Sequence, residues 1–567
     1  MLHSRLTQPC PIKLFPHQKE HVEKIWKLIT KDLAFSFIDT SGTGLGKTLT
    51  SLNIAWHLQE LYNTKIMVVA PSETSLNNDD GWMYHAKNNG IEIEIATTYS
   101  SLRGGQGKVS HPWLIPDPEN KKKWKTSKKF EELCSKGLFI IFDEFHHTKN
   151  ASVSHFACAA LVKTAKKYRN VCRVGLLSHT PGDKLEVYPQ ILRMAGLISS
   201  TKMFKHIPFT KEYEIDDYGL GELSRLCIKI SPNSRYEIQN MASNISKGRS
   251  NFVTKTLFQK HIHPIITFAM PKPKEEEKKY TTTLLNAFLE SDEEGAKLSK
   301  KGIDILTGAV GWDAANQQVA DTKQWNLANI GIGLKFLEKG KLYGISQYVN
   351  EEIKKNPNKK FVISCGARGI ENHKILASLI YRKKTKEELL EILNELKSKN
   401  ENWARLPKDM INYITQFLDV RIKPQILNGS VDKKERVNII RDFQDNTNES
   451  WCLIISPGIG SESISLHDKS GGRNREMLIS PDFMFSRVLQ STGRVNRVGT
   501  KSDTKVLIVY SKDADLETSI LNSMARKSVI ARDILAKGQK VVFPNEFPFW
   551  VQGKPNQELE DKLNLLR

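Results

Sequence analysis

The sequence has no disulfide framework, no zinc-type ligand spacing and no apolar run long enough to cross a membrane. Its seven cysteines (10, 134, 158, 172, 227, 365 and 452) are odd in number, scattered, and include no Cys-x-x-Cys pair. This excludes a stapled secreted scaffold and a structural zinc site, and predicts a reducing compartment. Cys172, Cys365 and Cys452 stand in apolar surroundings and read as core thiols. No stretch approaches the roughly 20 apolar residues of a membrane span, and 1–5 lack a leader's long apolar segment. The expectation is a soluble intracellular protein. Acidic residues are also in short supply, 63 Asp+Glu against 84 Lys+Arg, for a net charge of +21. Such an excess favours a polyanionic partner, because each phosphate neutralised releases condensed counterions. Internal repeats are absent.

At 567 residues, with 39% hydrophobic and 26% charged residues, the chain is expected to form two to four globular domains. The most informative stretch is Ser41-Gly42-Thr43-Gly44-Leu45-Gly46-Lys47-Thr48, between the apolar run 35–38 and a helical pattern at Leu49, Leu52, Ile54, Ala55 and Leu58. Strand, glycine turn and helix start form a phosphate cradle, where converging N–H groups and the helix dipole attract anions. Gly44 and Gly46 shape it, Lys47 reaches the β- and γ-phosphates, and Thr48 completes a Mg²⁺ shell. Ser41 departs from the Gly or Ala usual at that place. About a hundred residues on, the apolar strand Leu138-Phe139-Ile140-Ile141-Phe142 runs into Asp143-Glu144. An acidic pair at such a strand end is placed to hold the metal (Asp143, through water) and to orient or deprotonate the attacking water (Glu144).

Strands recur at 65–71, where the run ends in a turn, at 91–95 and at 174–177, separated by helical patterns, which predicts an α/β fold with a doubly wound parallel sheet. His17-Gln18, at the start of an early helix, is placed to reach the nucleobase. Residues 104–136 break the pattern as a basic insertion. Its Lys121, Lys122, Lys123 and Trp124 are candidates to grip a backbone and stack a base, with Thr98 after the preceding strand a further nucleic-acid candidate. A solvated charged loop is the plainer alternative. Ser178 and Thr180, at a strand's end, are candidates to relay nucleotide state.

Taken in order, Gly44-Leu45-Gly46-Lys47-Thr48, Asp143-Glu144-x-His146-His147-x-Lys149-Asn150 and Ser178-x-Thr180-Pro181 resemble the Swi/Snf-type branch of superfamily-two helicases and translocases. The second half agrees: Lys360–Ser364 resembles the opening strand of a second lobe, Leu427-Asn428-Gly429-Ser430 with Glu435-Arg436 and Phe443 resembles a family block, and Gln490-Ser491-Thr492-Gly493-Arg494-Val495-Asn496-Arg497-Val498-Gly499 resembles the family's arginine-finger motif. The loop Gly460–Leu466 is similar to NTPases of poxviruses and other large DNA viruses. The resemblance implies two RecA-like lobes with helical insertions, ATP and Mg²⁺ as cofactors, and Gln490 on the nucleotide. It further implies coupling through His146, Ser178 and Thr180, and a finger at Arg497 with Arg494 beside it on one helical face.

The domains expected are lobe 1 over 1–205, a helical insertion and linker over 206–340, lobe 2 over 341–525 with an insertion at about 382–420, and a tail over 526–567 docking on the motor. The activity implied is ATP-driven movement on double-stranded DNA. The alternatives are an NTPase that unwinds RNA or DNA or serves viral-type transcription, and a catalytically dead nucleic-acid-binding scaffold. Transcription or replication proteins are conceivable partners, and nucleus, host cytoplasm and virion are all open.

Overall fold

The computed structural model describes most of residues 9–273 and, beyond them, chiefly 279–286, 341–365, 414–447, 451–456, 464–510 and 515–535. The expected family blocks at 429–430 and 460–463, the lysines 121–123, most of the 382–420 insertion and most of the tail lie outside the described residues. The chain divides into two compact units, Met1–Pro273 with Lys527–Val541, and Lys274–Arg526 with Val542–Arg567.

The first unit is built on a six-stranded sheet of β1 (Ser36–Asp39), β2 (Lys65–Ala70), β3 (Ile95–Thr98), β4 (Leu138–Asp143), β5 (Arg173–Leu177) and β6 (Thr267–Phe268), in the order β6-β1-β5-β4-β2-β3. Every pairing is parallel. Parallel strands are covered on both faces, which is why 138–142 is apolar at every position and fully buried. Alternation then splits them: Phe139 and Ile141 join Phe37, Ile66 and Val68 in one core, while Ile140 and Phe142 join Ile38, Met67 and Val69 in the other. The first core is closed by helices α1 (Pro16–Thr30) and α2 (Lys47–Tyr62), and the second by α4 (Val153–Lys167). A short α3 (Trp82–Asn88) also packs on the first face.

Register decides where chemistry can occur. Asp39 stands opposite Leu177, and Leu177 opposite Asp143, so β1, β5 and β4 end on one line. The glycine loop, Ser178 and Glu144 therefore leave the sheet side by side, at the carboxyl edge where open α/β sheets bind ligands.

The second unit has its own six-stranded parallel sheet, from β7 (Tyr280–Asn286), β8 (Lys359–Ser364), β9 (Gln425–Leu427), β10 (Cys452–Ile455), β11 (Asn474–Ile479) and β12 (Thr504–Tyr510), in the order β7-β12-β11-β8-β10-β9. The strand β7 falls in the stretch expected to be a helical insertion; its threonine-rich run instead extends β12 along seven residue pairs. The buried Lys341 ammonium donates to Ser480 and to the Val509 carbonyl and pairs with Glu517, which compensates its loss of water.

Candidate active site

The loop after β1 owes its shape to two left-handed glycines, Gly44 (φ 79°) and Gly46 (φ 91°). At Gly46 there is no room either, because a Cβ would lie 2.4 Å from Gln18 Nε2. Gln18 is buried and its amide spans two backbone groups: Oε1 accepts from Phe15 N–H (3.0 Å) and Nε2 donates to the Leu45 carbonyl (2.9 Å). It braces the loop from α1, a different use from the nucleobase contact expected of it. The Lys47 ammonium rests on the carbonyls of Ser41 (2.9 Å) and Gly42 (3.3 Å), and Thr48 stands beside it on the first turn of α2.

Ser41 is fully buried and its three polar groups are all engaged. Its N–H donates to Asp39 Oδ1 (2.8 Å), its carbonyl takes Lys47, and its Oγ accepts the backbone N–H of Met270 (2.8 Å). Asp39 Oδ2 pairs with His21 of α1 at 2.9 Å. Burial alone would raise the Asp39 carboxyl, yet His21, Lys47 and the Ser41 N–H hold it below its ordinary range. The residue that departs from the usual loop pattern is thus the loop's anchor to the segment beyond β6.

The acidic pair ends β4. Asp143 accepts from the Trp82 indole N–H (2.9 Å), and its carbonyl accepts from Tyr99 O–H (2.8 Å). Its carboxyl is pushed up to about 6, first by burial and then by the neighbouring Glu144, against the pull of Trp82 and Lys47. Glu144 adopts a left-handed backbone (φ 47°), a conformation that costs a non-glycine residue about 1–2 kcal/mol. That turn swings its carboxylate back over the sheet edge, where Ser178 Oγ donates to it at 3.2 Å. His146 Nδ1 lies 3.0 Å from the same hydroxyl and 3.2 Å from Glu144. Since the one Ser178 proton goes to Glu144, the network assigns the His146 proton to Nδ1. The Thr180 N–H closes the circuit on Ser178 Oγ (3.2 Å), and the Ser178 N–H is bonded to the Asp39 carbonyl (3.0 Å). Carboxylate, imidazole, hydroxyl and phosphate-loop strand form one connected chain.

A triphosphate with a divalent cation fits these groups. The Thr43 hydroxyl is buried in the loop with no partner among the described residues, a donor that an anionic oxygen would satisfy. Two adjacent carboxylates, one with a raised affinity for protons, are equally suited to a metal ion's charge.

Other expected residues are placed differently. Thr98 is buried and caps the helix after β3 through Ser100 and Ser101, so it faces the interior. Trp124 lies on a small hairpin, Leu114–Pro116 with Trp124–Thr126, and its half-buried ring packs on the second core, as does Trp113, which carries Lys129 over its face at 4.9 Å. Both rings contribute to that core while remaining only half-buried. In the second unit, helix α5 (Phe485–Val495) buries Gln490 and Arg494. Arg497 does not share a helical face with Arg494. The helix ends at Val495 because Asn496 turns extended (φ −134°, ψ 97°), the Arg494 carbonyl accepts from Leu466 N–H, and Arg497 Nη2 donates to the Ile464 carbonyl at 2.9 Å. Trp82, Tyr99 and the His21–Asp39 pair were not among the expected site residues.

Residues 11–181 match the family described as Type III restriction enzyme, res subunit. That span runs from α1 through the glycine loop and the acidic pair to Thr180-Pro181. An Acanthamoeba polyphaga mimivirus protein whose name describes an ATP-dependent RNA helicase, L364, is 32% identical over 122 residues, which is 21% of this chain and 22% of that one. A Sulfolobus solfataricus SWI2/SNF2 ATPase core, solved in complex with dsDNA, is 17% identical and covers 94% of this chain and 96% of its own, with a TM-score of 0.27. The span that matches the family carries the glycine loop, the acidic pair and the Ser178–Thr180 relay in this order on one parallel sheet.

Proposed function

We propose that the protein is a nucleic-acid-dependent ATPase that translocates on double-stranded DNA without separating its strands. The observation that carries the ATPase half is the continuous hydrogen-bond path from the glycine loop through Ser178 to Glu144. The polyanion half is supported by the net charge of +21. The choice of duplex DNA follows the motif resemblance.

Bound Mg²⁺–ATP supplies the phosphoanhydride to be cleaved and the cation that offsets its charge. Loop N–H groups and Lys47 bind the phosphates, and Thr48 and Asp143 hold the cation's shell. Glu144 accepts a proton from the attacking water, and its position is fixed by Ser178 and His146. In this reading Arg494 and Arg497 supply positive charge during turnover, with Gln490 beside them. A change at Glu144 then alters Ser178, whose N–H is part of the β1 edge, so nucleotide state is transmitted along the sheet's end.

The test is a steady-state ATPase assay without nucleic acid, then with single-stranded DNA, duplex DNA and duplex RNA. Expected is strong stimulation by duplex DNA, with displacement of a triplex-forming strand and no duplex unwinding. Stimulation mainly by RNA or single strands would overturn the duplex assignment in favour of the activity that the mimivirus relative's name describes.

A further inference from the structure

Trp82 is among the largest fully buried side chains of the molecule, 1% exposed, on a short helix between β2 and β3. Packing explains its rings, which join the core formed with Leu76, Ala86 and Ile141. It does not explain the direction of its N–H. An indole has a single donor and no acceptor, so when buried it must find one partner. Here the partner is Asp143 Oδ2, 2.9 Å away and 61 residues along the chain. The same aspartate is held at its carbonyl by the buried Tyr99, whose ring stacks on His147 at 5.7 Å. Two aromatic residues from the segments after β2 and β3 thus fix both ends of one residue at the tip of β4.

We propose that Trp82 is the positioning residue of the metal site: its N–H occupies Asp143 Oδ2 and holds the carboxylate so that its other oxygen serves the shell of the nucleotide-bound divalent cation. The inference rests on the Mg²⁺–ATP reading of this loop. Three physical points support it. An N–H bonded to a carboxylate oxygen is a charge-assisted hydrogen bond, stronger than a neutral one, so Trp82 holds Asp143 Oδ2 firmly. The indole is locked by core packing, so it fixes the carboxylate's rotation with little freedom lost on binding. Hydrogen-bond partners of ligating groups typically set about 10–100-fold of metal affinity.

The test is Trp82→Phe, which keeps the aromatic bulk and removes the N–H. Binding of a fluorescent, non-hydrolysable ATP analogue is measured in EDTA and along a Mg²⁺ titration, on wild type, W82F, D143A and the double variant. Expected is an EDTA affinity within about twofold of wild type, with the Mg²⁺ needed for half of the metal-dependent gain raised about tenfold. In the D143A background W82F should add nothing, because the effect passes through Asp143. A loss of equal size in EDTA and Mg²⁺, or one that adds fully to D143A, overturns the proposal and leaves Trp82 a packing residue. A wild-type protein that binds the analogue with no gain from Mg²⁺ overturns the metal reading itself, a distinguishable failure. Should W82F not fold, indole ¹⁵N labelling provides a second measurement. The Trp resonance that D143A displaces should move with Mg²⁺–nucleotide and not with nucleotide in EDTA, and a resonance indifferent to metal sinks the idea.

Discussion

At the scale of single residues, Lys47 and Glu144 make separable demands on the site. Among the described residues the Lys47 ammonium donates to the loop carbonyls of Ser41 and Gly42, so Lys47→Ala removes phosphate attraction and leaves the apolar cores of the sheet intact. Expected is nucleotide affinity weakened at least about tenfold and turnover lost, with thermal stability near wild type. Glu144→Gln keeps shape and the bond from Ser178 while removing the base. It should lower kcat by about 10²–10⁴-fold and leave nucleotide binding nearly unchanged. Single-turnover kinetics with binding measured in parallel distinguishes the two, and a Glu144→Gln enzyme with wild-type kcat would show that another group takes the proton. The left-handed backbone at Glu144 persists in this variant, so the substitution tests charge and not loop geometry.

At the scale of elements, the two-residue strand β6 deserves more weight than its length suggests. It pairs with β1, the Thr40 N–H and hydroxyl both reach the Phe268 carbonyl, and Ser41 Oγ takes the Met270 N–H. Pro271 and Pro273 follow, with fixed φ and no N–H of their own, which stiffens the chain just beyond its tie to the phosphate loop. Ser41→Ala removes the hydroxyl that accepts the Met270 N–H, a hydrogen bond of about 0.5–1.5 kcal/mol. Amide exchange in a peptide covering 267–272 should accelerate severalfold and the first unit's melting should fall; unchanged exchange there would show that β6 holds without Ser41. This contact marks where sequence reading stops. The glycine loop, acidic pair and parallel strands were legible because local spacing and apolar runs encode them. Ser41 was visible as an oddity, but its partner is 229 residues away, and no local pattern pairs them. The Trp82–Asp143 hydrogen bond is hidden likewise, and the common helical face expected of Arg494 and Arg497 fails because a three-residue spacing cannot reveal that the helix ends between the two arginines.

At the scale of the whole molecule, each unit carries its own sheet and core, so each is expected to melt with its own pH dependence. Among the histidines of the first unit that burial keeps neutral are His155 and His179. His155 is fully buried, with Nδ1 2.9 Å from the Thr148 carbonyl and Nε2 enclosed without a described partner; burial, then Arg193, lowers it to about 3. His179 is lowered to about 4, by burial first and then by Lys47, with Lys272 adding to that and Glu144 opposing it. In the unfolded chain both return to about 6.5. Between about pH 6.5 and 4 the unfolded state therefore binds more protons than the folded one, and stability rises with pH across that window. The stabilisation is full above pH 6.5 and is lost as acid forces either the charging of a buried ring or unfolding. Each histidine contributes on the order of 3 kcal/mol over its window. Calorimetry from pH 7 to 4.5 should show the first unit's transition falling steeply. His155→Asn, which keeps a donor for the Thr148 carbonyl and cannot be protonated, should reduce the proton uptake on unfolding by about one. If the variant's transition falls as steeply as that of wild type, the acid lability lies in groups other than His155.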